Sequence, residues 1–248
     1  MQQHGFAYRF DWGFEGLQAL APISNVVIIV DVLRFTSAVC CALEVGATVL
    51  PFPWNYDQAG EYARLHKAIC AGRREDGGPS LSPTDLLTLD PGTRIVLPSP
   101  NGSALAFAAS EGNAHVLAGS LRNATATANA ASNLGGHNGV ISVIAAGERW
   151  HADDGPTRFA IEDLIGAGAI LAALDPSAAV SAPRCSPEAA AARAGFLAHR
   201  PRLYEALTTC SSGRELIERG WADDVATSSA FDVSAVVARL FDSEFRAV

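Results

Sequence analysis

Four polar groups in this chain are candidates for chemistry: Asp31 with Arg34, Asn101 with Ser103, Glu148 with Arg149, and Glu162 with Asp163. Carboxylates in the company of few histidines suit a hard cation such as Mg²⁺. Arginines suit phosphate or another oxyanion through paired N–H contacts. Together they point to magnesium-assisted hydrolysis of a phosphate ester, in which the metal polarises phosphoryl oxygens and acidifies the attacking water. Each group also has an ordinary structural reading. Asp31 reads equally as a helix cap, Asn101-Gly102 as a turn with Ser103 as the next cap, and Glu162 and Asp163 as first-turn acids favoured by the helix dipole. The six histidines, His4, His66, His115, His137, His151 and His199, are scattered without metal-ligand spacing and read as surface or loop residues.

The elements that must position these groups are legible as patterns. Val26 to Val30 is an unbroken β-branched run, the mark of a strand buried on both faces in a parallel sheet. Asp31 ends it, and residues 35–46 then read as a helix. The carboxyl edge of such a strand is where ligands bind in open α/β sheets, and the N–H groups of the following helix suit an anion. Residues 47–52, 94–97, 116–118 and 140–145 read as further strands. Alternating aromatics from Phe6 to Phe14 predict an N-terminal strand, with a short helical turn over 17–20. Helices are expected over 55–68 with Asn55 as N-cap, after Asn101, after Asn123, from Ile161, over 188–199 between prolines that include Pro183, and over 202–207. One more begins near Ser212, where Ser212 and Glu215 spell a capping box. Residues 70–92, rich in Gly, Pro and charge, read as a long surface connection holding Arg73 and Arg74. The loop after Arg149 carries His151, Asp153 and Asp154. The β-α order predicts an α/β fold, three layers α/β/α around a largely parallel mixed sheet, in one domain spanning 1–248.

Composition narrows the classes. A net charge of −8 gives no basic face for nucleic acid. Five cysteines, Cys40, Cys41, Cys70, Cys185 and Cys210, are odd in number and irregularly spaced, as expected of reduced thiols. No apolar run approaches the ~18 residues of a membrane span, and the first residues lack a signal-peptide pattern. The expectation is a soluble cytoplasmic protein without nucleic-acid or membrane partners. Asn123-Ala-Thr125 is formally a glycosylation sequon, discounted without a secretory signal. No Walker loop, GxGxxG or GxSxG motif is present.

VVIIVDVLRFTSAVCCALEVGA, PSPNGSALA, AAGERW with AIEDLIGAGAI, and SSGRELIERGWADDVATSSAFDVSAVV occur in the order of the 2-phosphosulfolactate phosphatase family, which this chain resembles from about Asp31 to Val237. The resemblance implies an α/β/α protein acting as a Mg²⁺-dependent acid phosphatase on 2-phosphosulfolactate or a similar small phosphorylated hydroxy-acid. It implies site residues Asp31, Arg34, Asn101, Gly102, Ser103, Glu162 and Asp163. Asp31, Glu162 and Asp163 would bind Mg²⁺, with Asp31, Arg34 and Glu162 as the catalytic set. Arg34, Arg74, Asn101, Gly102, Ser103 and Glu148 would hold the substrate. The general acid or base stays open, and Asp31 as nucleophile is a second route beside metal-bound water. Two departures stand out: Phe35 where the family usually has Ala, and Arg73 where it has an acid. The second supports an alternative, a non-catalytic protein that binds a small anionic metabolite in the same cleft. The oligomeric state stays open, a homo-oligomer included.

Overall fold

The computed structural model describes residues 3–53, 55–150, 155–177 and 184–248. His151, Asp153, Asp154 and Pro183 lie outside the described residues. In chain order the first half holds β1 (Tyr8–Trp12), α1 (Gly13–Leu20), β2 (Val26–Val30), α2 (Phe35–Glu44), β3 (Thr48–Phe52), α3 (Tyr56–Leu65), β4 (Ile69–Cys70), α4 (Pro83–Leu86), β5 (Arg94–Pro98), α5 (Gly102–Ala109) and β6 (His115–Gly119). The second half holds α6 (Ala124–Gly135), β7 (Ile141–Ala145), β8 (Glu148–Arg149), β9 (Thr157–Arg158), α7 (Ile161–Leu174), α8 (Pro187–His199), α9 (Leu203–Thr209), α10 (Ser211–Glu218), α11 (Ala222–Ser229), β10 (Ala238–Phe241) and β11 (Glu244–Ala247). Short 3₁₀ turns, one of them Arg74–Asp76, complete the described chain.

Nine strands form one mixed sheet in the order β1-β7-β2-β6-β10-β11-β3-β5-β4, as the α/β reading requires. Strand β2 pairs in parallel along its whole length with β7 on one side and β6 on the other, and all five of its residues are buried. That is why it could afford no polar residue. Helices cover both faces. Val26, Ile28 and Val30 pack under α6, α7 and α8, while Val27 and Ile29 face α1 and α5. In the second block α2 packs against Val49, Ile95 and Leu97 on one face, and α3 against Leu50 and Val96 on the other.

The two parallel blocks are joined by an antiparallel hairpin, β10–β11, inserted between β6 and β3. Its three antiparallel joints leave the blocks running in opposite senses along the sheet. The segments that follow β2 and β5 nevertheless meet, through the bond from the Gly102 N–H to Asp31.

Several sequence expectations change. The segment 70–92 is no simple surface loop: it holds the end of β4, a 3₁₀ turn and α4, and Ser80, Ser82 and Leu86 are buried. Ser212 and Glu215 do not form a capping box. The α10 cap is Cys210, whose Sγ accepts from the Gly213 N–H, while Ser212 Oγ accepts from Arg158 and Glu215 pairs with Arg219. Asn123 is buried and holds Ser120 and the Val236 carbonyl, a packed role. Asn55 caps α3 through the Gln58 N–H, as expected.

Candidate functional site

Asp31 follows β2 in a turn that the first residues of α2 stitch shut. Thr36 Oγ1 accepts from the Asp31 N–H and donates to its carbonyl, and Ser37 Oγ donates to the Val32 carbonyl. The Leu33–Arg34 peptide within the turn is cis. The Asp31 carboxylate spans two elements. Oδ1 accepts from the Phe35 N–H at 3.2 Å, which is a capping contact, and Oδ2 accepts from the Gly102 N–H at 2.8 Å, at the start of α5. A Cβ on Gly102 would stand 2.6 Å from Asp31 Cβ and 2.8 Å from Phe35 Cδ1, so only glycine permits this approach.

Asp163, in the first turn of α7, does the same for two other turns. Oδ1 accepts from the Val32 N–H at 2.8 Å and Oδ2 from the Gly147 N–H at 3.0 Å. Gly147 has φ +69, which favours glycine, and a Cβ there would meet Thr157 Cγ2 at 2.7 Å. Glu148 follows immediately, and its Oε1 accepts from Asn101 Nδ2 at 2.7 Å and from the Arg149 N–H at 2.8 Å. The tips of β2, β5 and β7 are thereby tied together.

This end of the site is rich in negative charge. Burial first, then the carboxylates of Glu148 and Glu162, push the Asp31 pKa up to about 7, against the opposing N–H bonds of Gly102 and Phe35. Asp163 is also raised well above the ordinary carboxylate range, by burial and then by Asp31 and Glu162. These groups cannot all ionise cheaply side by side. Glu162 is buried and faces the Cys210 thiol, which burial and then Glu162 push up to about 12.

The other end is built from arginines and was largely missed in the sequence. Asp224 in α11 is fully buried and takes four side chains. Its Oδ2 accepts from Arg34 at 2.8 Å and Arg74 at 3.0 Å, and its Oδ1 accepts from Ser82 at 2.5 Å and Thr84 at 3.1 Å. Trp221 lies under three guanidiniums: Arg34 at 4.8 Å, Arg219 at 5.5 Å and Arg74 at 5.8 Å. Two adjoining cavities follow from this construction. One, of about 200 Å³, is lined by Asp31, Arg34, Ser99, Asn101, Glu148, Arg219 and Trp221 among others. The second, of about 450 Å³, is lined by Arg34, Arg73, Arg74, Ser80, Arg219 and Trp221 among others.

The structure thus brings Asp31, Arg34, Asn101, Gly102 and Glu148 to one place and Arg34 and Arg74 to its neighbour. Asp163 and Glu162 stand behind Asp31 and outside the residues lining either cavity. Ser103 is turned away: its hydroxyl donates to the Leu97 carbonyl and accepts from the Phe52 N–H, both at 2.7 Å. Arg149 reaches the carbonyls of Gly155 and Pro100. Phe35 is fully buried against Phe245 of the inserted hairpin, at a ring distance of 6.3 Å. No local pattern could have marked Asp224, because its partners lie 140 to 190 residues away in sequence.

Among the described residues no three His, Cys, Asp or Glu side chains form a ready-made metal cage. The donor set still fits Mg²⁺. That ion takes hard oxygens, commonly one or two carboxylates, and completes its shell with water and substrate phosphate. Three acids line the cavity; Glu215 is paired with Arg219, which leaves Asp31 and Glu148 to offer them.

A profile of the family described as 2-phosphosulpholactate phosphatase matches residues 15–242. A curated protein named 2-phosphosulfolactate phosphatase, from Methanothermobacter thermautotrophicus, is 32% identical over 158 residues, which cover 61% of this chain and 62% of the relative. The aligned stretch therefore spans less than two thirds of that relative's length. Since the profile runs from α1 to the turn after β10 and covers most of the chain, the chain belongs to the 2-phosphosulpholactate phosphatase family.

Proposed function

We propose that this protein is a Mg²⁺-dependent phosphatase acting on a small phosphorylated hydroxy-acid such as 2-phosphosulfolactate, releasing 3-sulfolactate and phosphate. The observation that carries the reading is the two-ended cleft, with carboxylates at one end and guanidiniums on an indole at the other. Family membership supports the same reaction class.

Asp31 and Glu148 would hold the cation, and the bound ion would supply Lewis-acid polarisation of the phosphoryl oxygens and a more acidic water. The chain's own contribution is positioning. The Gly102 N–H fixes Asp31, Asn101 fixes Glu148, and Asp163 ties the Asp31 and Gly147 turns to α7. Arg34, which lines both cavities, is placed to meet charge developing on the transferred group. Glu162 adds negative field and strengthens the demand for a cation. Arg73, the departure that favoured a non-catalytic binder, is exposed and lines the arginine end. It adds a cation where an oxyanion would rest and leaves the carboxylate end intact.

Among the described residues no helix is long and apolar enough to cross a membrane. The five free cysteines support a reducing, cytoplasmic setting. The test is phosphate release from 2-phosphosulfolactate by purified protein, with Mg²⁺ and after chelation. Turnover that needs the ion supports the reading. No turnover of any phosphate ester, with 3-sulfolactate still bound, would favour the binding protein instead.

A further inference from the structure

The arginine end contains more machinery than one phosphate group requires. Its cavity is the larger of the two, about 450 Å³ against about 200 Å³, and the two share Arg34, Arg219 and Trp221 as a common wall. Two independent devices immobilise the guanidiniums there. Asp224 takes Arg34 and Arg74 from behind, with no solvent contact of its own. Trp221, three residues earlier and bonded to it through the backbone, supports both guanidiniums from a second direction. Ser82 and Thr84 occupy the other oxygen of Asp224 and so fix its orientation. A guanidinium has five N–H donors, and Arg34 gives only one to Asp224. Planar forks held in this way lose little entropy when they meet an oxyanion.

We infer that the arginine end is a separate subsite for a second oxyanion carried by the same substrate, a sulfonate or a carboxylate, and that Trp221 and Asp224 are its positioning residues. This rests on the reading that assigns the reacting phosphate to the Asp31–Glu148 end. The protein then selects phosphate esters with an anionic tail over esters whose tail is neutral. Arg34, at the junction, touches both halves of such a substrate, and Arg74 recognises the tail.

The test compares kcat and KM for 2-phosphosulfolactate and phenyl phosphate in the wild type, Arg74→Met, Arg74→Lys and Trp221→Leu. Arg74 is partly exposed, so its variants retain the fold, which circular dichroism checks. In Arg74→Met the loss in kcat/KM for the tailed ester should exceed that for phenyl phosphate by about tenfold or more, the scale of a hydrogen bond to a charged group. The loss should fall on KM. Arg74→Lys should recover part of it, and Trp221→Leu should move KM in the same direction. Equal losses on both esters, or a loss confined to kcat, would overturn the subsite and leave the phosphatase reading standing. If the wild type hydrolyses no phosphate ester, the phosphatase reading falls and the subsite is judged by calorimetric titration with 3-sulfolactate. Binding weakened about tenfold by Arg74→Met supports it, and binding that is absent or unchanged overturns it.

Discussion

The two ends of the cleft handle charge in opposite ways. At the arginine end three guanidiniums form ion pairs with carboxylates: Arg34 and Arg74 share Asp224, Arg74 also approaches Asp85, and Arg219 pairs with Glu215. An indole lies beneath all three. At the carboxylate end Asp31 and Asp163 are buried beside other acids and accept from the backbone N–H groups of Phe35, Gly102, Val32 and Gly147. Neutral donors offset part of the desolvation cost but leave like charges facing one another. The arginine end is therefore held in shape by opposite charges as folded, with donors left over for an anion. The carboxylate end has its charge offset only on gaining protons or a cation, and we assign the chemistry there.

The contrast can be broken at either end. The largest effect is expected from Asp31→Asn. Losing a ligand to a Lewis acid worth several kcal/mol in the transition state should lower kcat by about 10³-fold, read by steady-state turnover. Near-normal Mg²⁺-dependent activity would remove Asp31 from the metal. Asp224→Ala should act on stability instead. It leaves the partly buried Arg34 without a carboxylate and Arg74 with only the 3.7 Å contact to Asp85, a loss of about 3–5 kcal/mol, seen as a shifted denaturant midpoint; a small shift would mean the arginine end is not held from behind. Gly102→Ala is expected to cost about 1–3 kcal/mol, because its Cβ would fall 2.6 Å from Asp31 Cβ. It should also lower turnover, by moving Asp31.

A smaller effect follows from pH. The folded pKa of Asp31, about 7, lies above its unfolded value of 3.8, so the folded chain binds more protons than the unfolded one between those values. For this group, stability of the metal-free protein should fall as pH rises through that window and level off above it. Asp163 shifts in the same direction and adds to the trend. Mg²⁺ favours the ionised form and should flatten the fall. Urea midpoints on either side of the window, with and without Mg²⁺, check this; a midpoint that rises with pH without Mg²⁺ would contradict it.

What the sequence disclosed follows the same division. The run Val26–Val30 and the acid that ends it were readable because a doubly buried strand must be apolar throughout, so Asp31 stands out. The helices over 55–68 and from Ile161 announced themselves by periodicity and by a cap or first-turn acids. The arginine end was dark. Trp221 and Asp224 entered only inside the family-like stretch SSGRELIERGWADDVATSSAFDVSAVV, with no role attached, because what defines them is contact with Arg34 and Arg74 far earlier in the chain. The stretch containing Ser82 and Thr84 looked like surface because its Gly and Pro content is that of a loop. It is the long-range bond to Asp224 that buries Ser82. The inserted hairpin was hidden too: its turn uses Asp242 and Ser243 at φ +46 and +68, left-handed values that the usual Asn-Gly signal would have advertised. Glu148, read as a substrate contact, shares the cavity with Asp31, whereas Glu162 and Asp163, read as metal ligands, lie behind it.

The exchange of roles proposed above is the point to test. Turnover of 2-phosphosulfolactate should be titrated with Mg²⁺ in the wild type and in Glu148→Gln. The wild type should show a saturable rise from a negligible metal-free rate, and Glu148→Gln should need at least about tenfold more Mg²⁺ to reach half its maximum. Superimposable Mg²⁺ curves, or a rate indifferent to Mg²⁺ in both proteins, would contradict the assignment of the cation to Asp31 and Glu148.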